Sequence, residues 1–183
     1  MLSDAIVPVV GFIAPSGTGK TQLLKALITR LKSEGFRVAV IKHSHHDFEI
    51  DKPGKDSYEL RMSGATHTLI ASKYRWALIS ENANPQQEAT LNTLIKQLDQ
   101  AALDIVLVEG FKFERFPKIE VYRADTATAK SVHPPLFLSN PDVVAVATDK
   151  PLTPKNGVTL LDINNIKQVS QFIIQHFSLK MPQ

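Results

Sequence analysis

One segment constrains this chain before any other: Ala14-Pro15-Ser16-Gly17-Thr18-Gly19-Lys20-Thr21, a glycine-rich loop wedged between two apolar stretches. Before it, Ile6 to Ile13 is nearly continuous in apolar residues, the mark of a strand buried on both faces. After it, Leu23, Leu24, Leu27, Ile28 and Leu31 recur at helical spacing until Gly35 supplies a stop. Phe36 to Ile41 is a second strand. Strand, helix and strand in so short a span form a βαβ unit, so the sheet is expected to be parallel. In that setting Gly17 and Gly19 let the backbone fold its N–H groups inward while the helix offers its positive end. Ser16 to Thr21 then cradle phosphates, with Lys20 reaching the outer ones and the Thr21 hydroxyl on Mg²⁺. Ala14 stands where this P-loop pattern usually opens with glycine, a mild departure because the inward N–H groups come from later positions.

The rest of the chain extends the same pattern. Asp56 and Glu59 have capping-box spacing and open a short helix ending at Gly64. Thr68 to Ser72 and Arg75 to Ser80 are close enough to form a tight hairpin. A helix is expected over Pro85 to Gln100, with Leu91, Leu94, Ile95 and Leu98 facing inward. Asp104 to Val108, Lys118 to Tyr122 and Val143 to Thr148 read as further strands, and Ile163 to Phe177 as a closing helix capped by Asp162. Arg123 to Asp142 is rich in loop. The fold class is α/β and P-loop NTPase-like: a mostly parallel sheet flanked by helices, with an added β-hairpin. A chain of 183 residues suits a single nucleotide-binding domain over 1–183.

Composition excludes several alternatives. A net charge of +3 gives no footprint for nucleic acid. No cysteine is present, which rules out disulfides and thiolate metal sites. No segment has the length and apolarity of a membrane span, so the expected location is the cytoplasm.

Three further segments carry chemistry. Leu103-Asp104-Ile105-Val106-Leu107-Val108-Glu109-Gly110 is a buried strand ending in a carboxylate, which places Glu109 beside the loop to hold Mg²⁺ or orient the attacking water. Lys42-His43-Ser44-His45-His46-Asp47 and the following stretch to Asp56 leave the neighbouring strand on the same side. There Asp47 or Asp51 can be a Mg²⁺ ligand and Lys42, Lys52 and Lys55 can meet anions; the histidines also fit a transition metal, and the stretch fits a solvated loop. Asp149 follows the strand Val143 to Ala147 and can accept from N1–H and the 2-amino group of guanine, or simply start a turn. Trp76 reads as a packing anchor or dimer contact, and Lys112, Arg115 and Arg123 as phosphate contacts or solvated side chains.

Together, Ser16-Gly17-Thr18-Gly19-Lys20-Thr21, Ile41 to Asp47, Asp51 to Arg61, Arg75-Trp76-Ala77-Leu78 and Val108-Glu109-Gly110-Phe111-Lys112 resemble the molybdopterin-guanine dinucleotide biosynthesis protein B family. The resemblance is weakest over Arg123 to Asp142. It implies a GTP-binding accessory protein with weak Mg²⁺-dependent GTPase activity, in which Lys20 and Glu109 act on the phosphates. It also implies a homodimer that assists a molybdopterin guanylyltransferase in attaching GMP to molybdopterin during molybdenum cofactor biosynthesis, with molybdopterin itself a candidate ligand. Two readings of the residues stand beside it: a P-loop small-molecule kinase, and a metal-delivery GTPase using His43, His45 and His46.

Overall fold

In the computed structural model, residues 2–44, 48–84, 88–123, 134–153 and 157–181 are described. The elements in chain order are β1 (Val9–Ile13), α1 (Lys20–Ser33), β2 (Val38–Lys42), α2 (Asp56–Met62), β3 (His67–Ala71), β4 (Trp76–Ser80), α3 (Leu91–Ile95), β5 (Ile105–Glu109), β6 (Lys118–Tyr122), β7 (Val143–Thr148), β8 (Thr159–Asp162) and α4 (Ile166–His176). They fall into two compact units, one from Met1–His43 with Leu91–Gln183 and one from Ser44–Thr90.

The first unit is built on a six-stranded sheet of order β2-β5-β1-β6-β7-β8 in which every pairing is parallel. Side chains alternate across it. Val10 and Phe12 of β1, with Ile105 and Leu107 of β5, pack under Leu23, Leu24, Leu27 and Leu31 of α1 and Val169 and Ile173 of α4. Val9, Val106 and Val108 face the other way, against Leu91 and Ile95 of α3. Such burial supplies the apolar stabilisation that a parallel sheet requires on both faces. Gly35 ends α1 at φ 89°, with its N–H donating to Lys32 O, as the sequence suggests.

Several expectations shift. The first strand starts at Val9, and Ile6 is exposed. The expected long helix reduces to α3, followed by a 3₁₀ turn at Gln100–Ala102; Pro85 lies outside the described residues. The Leu91 N–H donates to the Glu114 carboxylate at 2.9 Å, so a side chain from a distant loop starts this helix. Asp162 belongs to β8, an edge strand hidden in the apparent cap, and Asn165 caps α4 by accepting from the Gln168 N–H. Asp56 and Glu59 sit in the first turn of α2, suiting the helix dipole, but no side chain caps it.

In the second unit, β3 and β4 form an antiparallel hairpin pairing Leu69 with Leu78 and Ala71 with Trp76. Arg61 of α2 bridges Glu49 at 2.6 Å and Glu81 at 2.9 Å, tying three parts of this unit together. Trp76 is exposed, as are Leu69 and Leu78 on the same hairpin face. Trp76 therefore does not serve as a packing anchor among the described residues.

Among the described residues of the first unit, Lys118 and Glu120 are buried. Lys118 lies beneath Gly11, donates to the carbonyl of Phe116 and is 3.7 Å from Asp142. The Glu120 carboxylate accepts the N–H groups of Leu136 and Phe137 at 2.7 and 2.9 Å, which pins the 3₁₀ turn Leu136–Leu138 to β6. Desolvation raises the Glu120 pKa from the usual carboxylate value, against the pull of those two donors. A raised folded-state pKa contributes stability that is fully present below the unfolded pKa, near 4.5, and lost as pH rises through the folded value. Urea unfolding of wild type and Glu120→Gln is therefore expected to show the wild type's relative stability greatest at acidic pH and declining toward neutrality. A difference that grows with pH would show the opposite linkage.

Candidate functional site

A parallel sheet delivers the ends of β1, β2, β5, β6 and β7 to one edge, and the glycine loop lies on it. The loop is held in shape locally. Gly17 and Gly19 have φ of 80° and 91°, a left-handed region that a side chain disfavours, and the Thr18 hydroxyl closes the turn by donating to Pro15 O at 3.0 Å. Gly19 caps α1 through its backbone alone, and the first turn has neither a capping side chain nor an acidic residue. The positive end of α1 thus opens onto the loop. Ser16 and Thr21 are exposed there, and Thr18 is buried beneath.

Register gathers the charges on one flank. Lys42 of β2 and Phe12 of β1 both pair with Glu109 of β5. The Glu109 carboxylate consequently lies 3.7 Å from Lys20 Nζ and 4.0 Å from Lys42 Nζ, with only 14% of its side chain exposed. Next to it the chain turns sharply: Gly110 has φ 102° and Phe111, unusually for a residue with a side chain, φ 50°. The Phe111 ring packs on His43 at 4.8 Å, and the His43 N–H donates to Glu109 O at 2.8 Å. Sequence reasoning had no signal for this packing except the glycine after the strand.

The other flank carries Arg123 after β6 and Asp149 after β7, paired at 3.7 Å. Asp149 sits in a turn where the Thr148 hydroxyl accepts the Lys150 N–H at 3.1 Å. Arg115 behaves differently from Arg123: it binds Asp142 at the opposite, amino edge of the sheet, away from the loop. Lys112 lies over the Phe113 ring at 4.7 Å. His45, His46 and Asp47 lie outside the described residues, and Asp51 belongs to the second unit. No group of three or more His, Asp or Glu side chains arranged for a metal ion occurs among the described residues.

The donors suit a nucleoside triphosphate with Mg²⁺. The loop has inward-bending glycines and a lysine, the exposed Thr21 follows, and a carboxylate stands across from the lysine. The family described as molybdopterin guanine dinucleotide synthesis protein B matches residues 9–149, from β1 to the turn after β7. The chain belongs to this family. The molybdopterin-guanine dinucleotide biosynthesis adapter protein of Escherichia coli K12 is 45% identical over 175 residues, covering 96% of each chain. Its counterpart in Haemophilus influenzae is 41% identical over 174 residues, covering 93% of this chain and 92% of its own. A crystal structure of molybdopterin-guanine biosynthesis protein B superposes with a TM-score of 0.67 at 21% identity, over 93% of this chain and 99% of that one. A Bacillus subtilis structure gives 0.66 at 17% identity over 96% and 99%, so the fold is shared where sequence has diverged. No helix among the described residues is long and apolar enough to cross a membrane.

The Glu109–Gly110 turn can be tested directly. A Cβ on Gly110 would lie 2.7 Å from His43 Cβ, in a backbone conformation already unfavourable for a side chain. Gly110→Ala is expected to lose about 1–3 kcal/mol in urea unfolding. Wild-type stability in that variant would show that the turn tolerates displacement of His43.

Proposed function

We propose that this chain is a GTP-binding accessory protein with slow Mg²⁺-dependent GTPase activity, serving the synthesis of the guanine dinucleotide form of the molybdenum cofactor. The observation carrying the nucleotide reading is the loop itself: two left-handed glycines and a helix start with no side-chain cap, with Lys20 and Glu109 3.7 Å apart. The pathway reading draws on the adapter-protein relatives that match nearly the whole chain. In it, the chain works beside the transferase that joins GMP to molybdopterin, in the cytoplasm and as a dimer. The exposed apolar hairpin face with Leu69, Trp76 and Leu78 supports a dimer contact, since such faces mark association surfaces.

Each residue then has a defined task. Backbone N–H groups from Gly17 to Thr21 receive the phosphates, and Lys20 neutralises the outer ones. Thr21 and Glu109 would hold Mg²⁺, directly or through water, which would supply charge neutralisation between the outer phosphates. Lys20 and Lys42 share Glu109; a triphosphate would draw Lys20 toward its phosphates and leave Lys42 to balance the carboxylate. Asp149 reads guanine, because its oxygens accept from two adjacent donors that adenine lacks.

Nucleotide-binding calorimetry of folded variants tests the phosphate assignments. Lys20→Ala is expected to lose most GTP affinity and less GDP affinity, while Glu109→Gln lowers hydrolysis far more than binding. Unchanged GTP affinity in Lys20→Ala overturns the site; untouched turnover in Glu109→Gln assigns hydrolysis to another acid. Base reading has its own test. Asp149→Asn puts an amide donor opposite guanine's donors but matches the carbonyl of xanthine. GTP affinity should fall and xanthosine triphosphate affinity rise, with a switch of roughly tenfold or more. Full retention of the GTP preference would leave Asp149 a turn residue.

A further inference from the structure

The flank of the loop opposite Glu109 holds a cation with no assigned task. Arg123 is the first residue after β6, the strand paired with β1 on the side away from β5. A Cβ built on Gly19 would lie 4.0 Å from Arg123 Cζ, Nε and Nη2 alike, so the guanidinium turns its face toward the phosphate loop. That atom-by-atom equality holds only for a plane lying over the glycine. Arg123 Nε is buried and has no hydrogen-bond acceptor among the described residues. Asp149 Oδ2 is 3.7 Å from it: close enough for an ion pair, too far for a hydrogen bond. The side chain as a whole is 36% exposed, so the part of the guanidinium open to a ligand lies beyond the buried Nε.

We propose that Arg123 binds the inner phosphates of the nucleotide from the flank opposite Glu109. The assignment rests on the nucleotide reading above and deepens it. Lys20, beside Glu109, serves the outer phosphates. Arg123 comes from β6, on the side of β1 away from β5. A cation there meets phosphates that GDP and GTP have in common. The planar guanidinium can donate two parallel bonds to phosphate oxygens, which a lysine cannot reproduce.

The test compares Arg123→Ala and the uncharged, polar Arg123→Gln with wild type and Lys20→Ala, titrating guanosine, GDP and GTP. The expected result is a loss of roughly tenfold to a hundredfold for GDP and GTP alike, with guanosine affinity kept. Arg123→Lys should recover only part of the loss. Equal losses for guanosine and the nucleotides would mark a structural role and overturn the proposal. So would unchanged GDP and GTP affinity in a folded variant, or a loss confined to GTP. If Lys20→Ala weakens GTP binding while Arg123→Gln does not, only this proposal fails. A wild-type chain that binds neither GDP nor GTP overturns the nucleotide reading together with it.

Discussion

Parallel pairing of every strand in the six-stranded sheet is the constraint on which the site depends. It sends all strand ends to one edge, so residues far apart in sequence meet without any loop having to reach. Lys42 and Glu109 lie level because β2 and β5 pair in that register, and Glu109 faces Lys20 because β5 also pairs with β1. The same geometry gives the opposite edge a different character. Arg37 binds Asp104 bidentately there, and Arg115 binds Asp142, both between segments that lead into strands. Those pairs hold strand entrances together; at the carboxyl edge, equivalent charges surround the loop.

Space made by absent side chains is the second requirement. Gly11 lets Phe116 and Lys118 pass beneath β1, where a Cβ would lie 2.7 Å from the Phe116 ring. Gly110 lets β2's exit pack against β5's exit through His43. Each glycine removes a side chain at a point where two elements approach closely, which binds the site's geometry to the core's packing. Buried Lys118 and Glu120 add polar constraints: each is satisfied mainly by backbone groups of a nearby loop, so each fixes that loop against β6.

The second unit has another logic. Its hairpin pairs Leu69 with Leu78, Ile70 with Ala77 and Ala71 with Trp76, and one face remains exposed. Arg61, largely buried between two acidic side chains, holds helix and hairpin by charge where the first unit relies on apolar burial.

The apolar run, glycine loop and leucine spacing of residues 6–31 were legible because they are local: each follows from neighbours a few positions away. The strands at 118–122 and 143–148 were readable for the same reason, and so was the hairpin. The resemblance to a family was carried by short contiguous motifs, and the family match extends over most of the chain. Less local features were not legible. β8 is only four residues long and half-polar, and its identity as a strand comes from pairing with β7. The start of α3 depends on Glu114 arriving from elsewhere in the chain. Arg115 and Arg123 looked equivalent in sequence, because composition and spacing do not say at which end of β6 a cation matters. The sequence by itself determined a phosphate-type loop on a buried strand and the acid that ends a second strand. Only the tertiary structure decided which charges share that loop, since strand order and register are properties of pairing between distant segments.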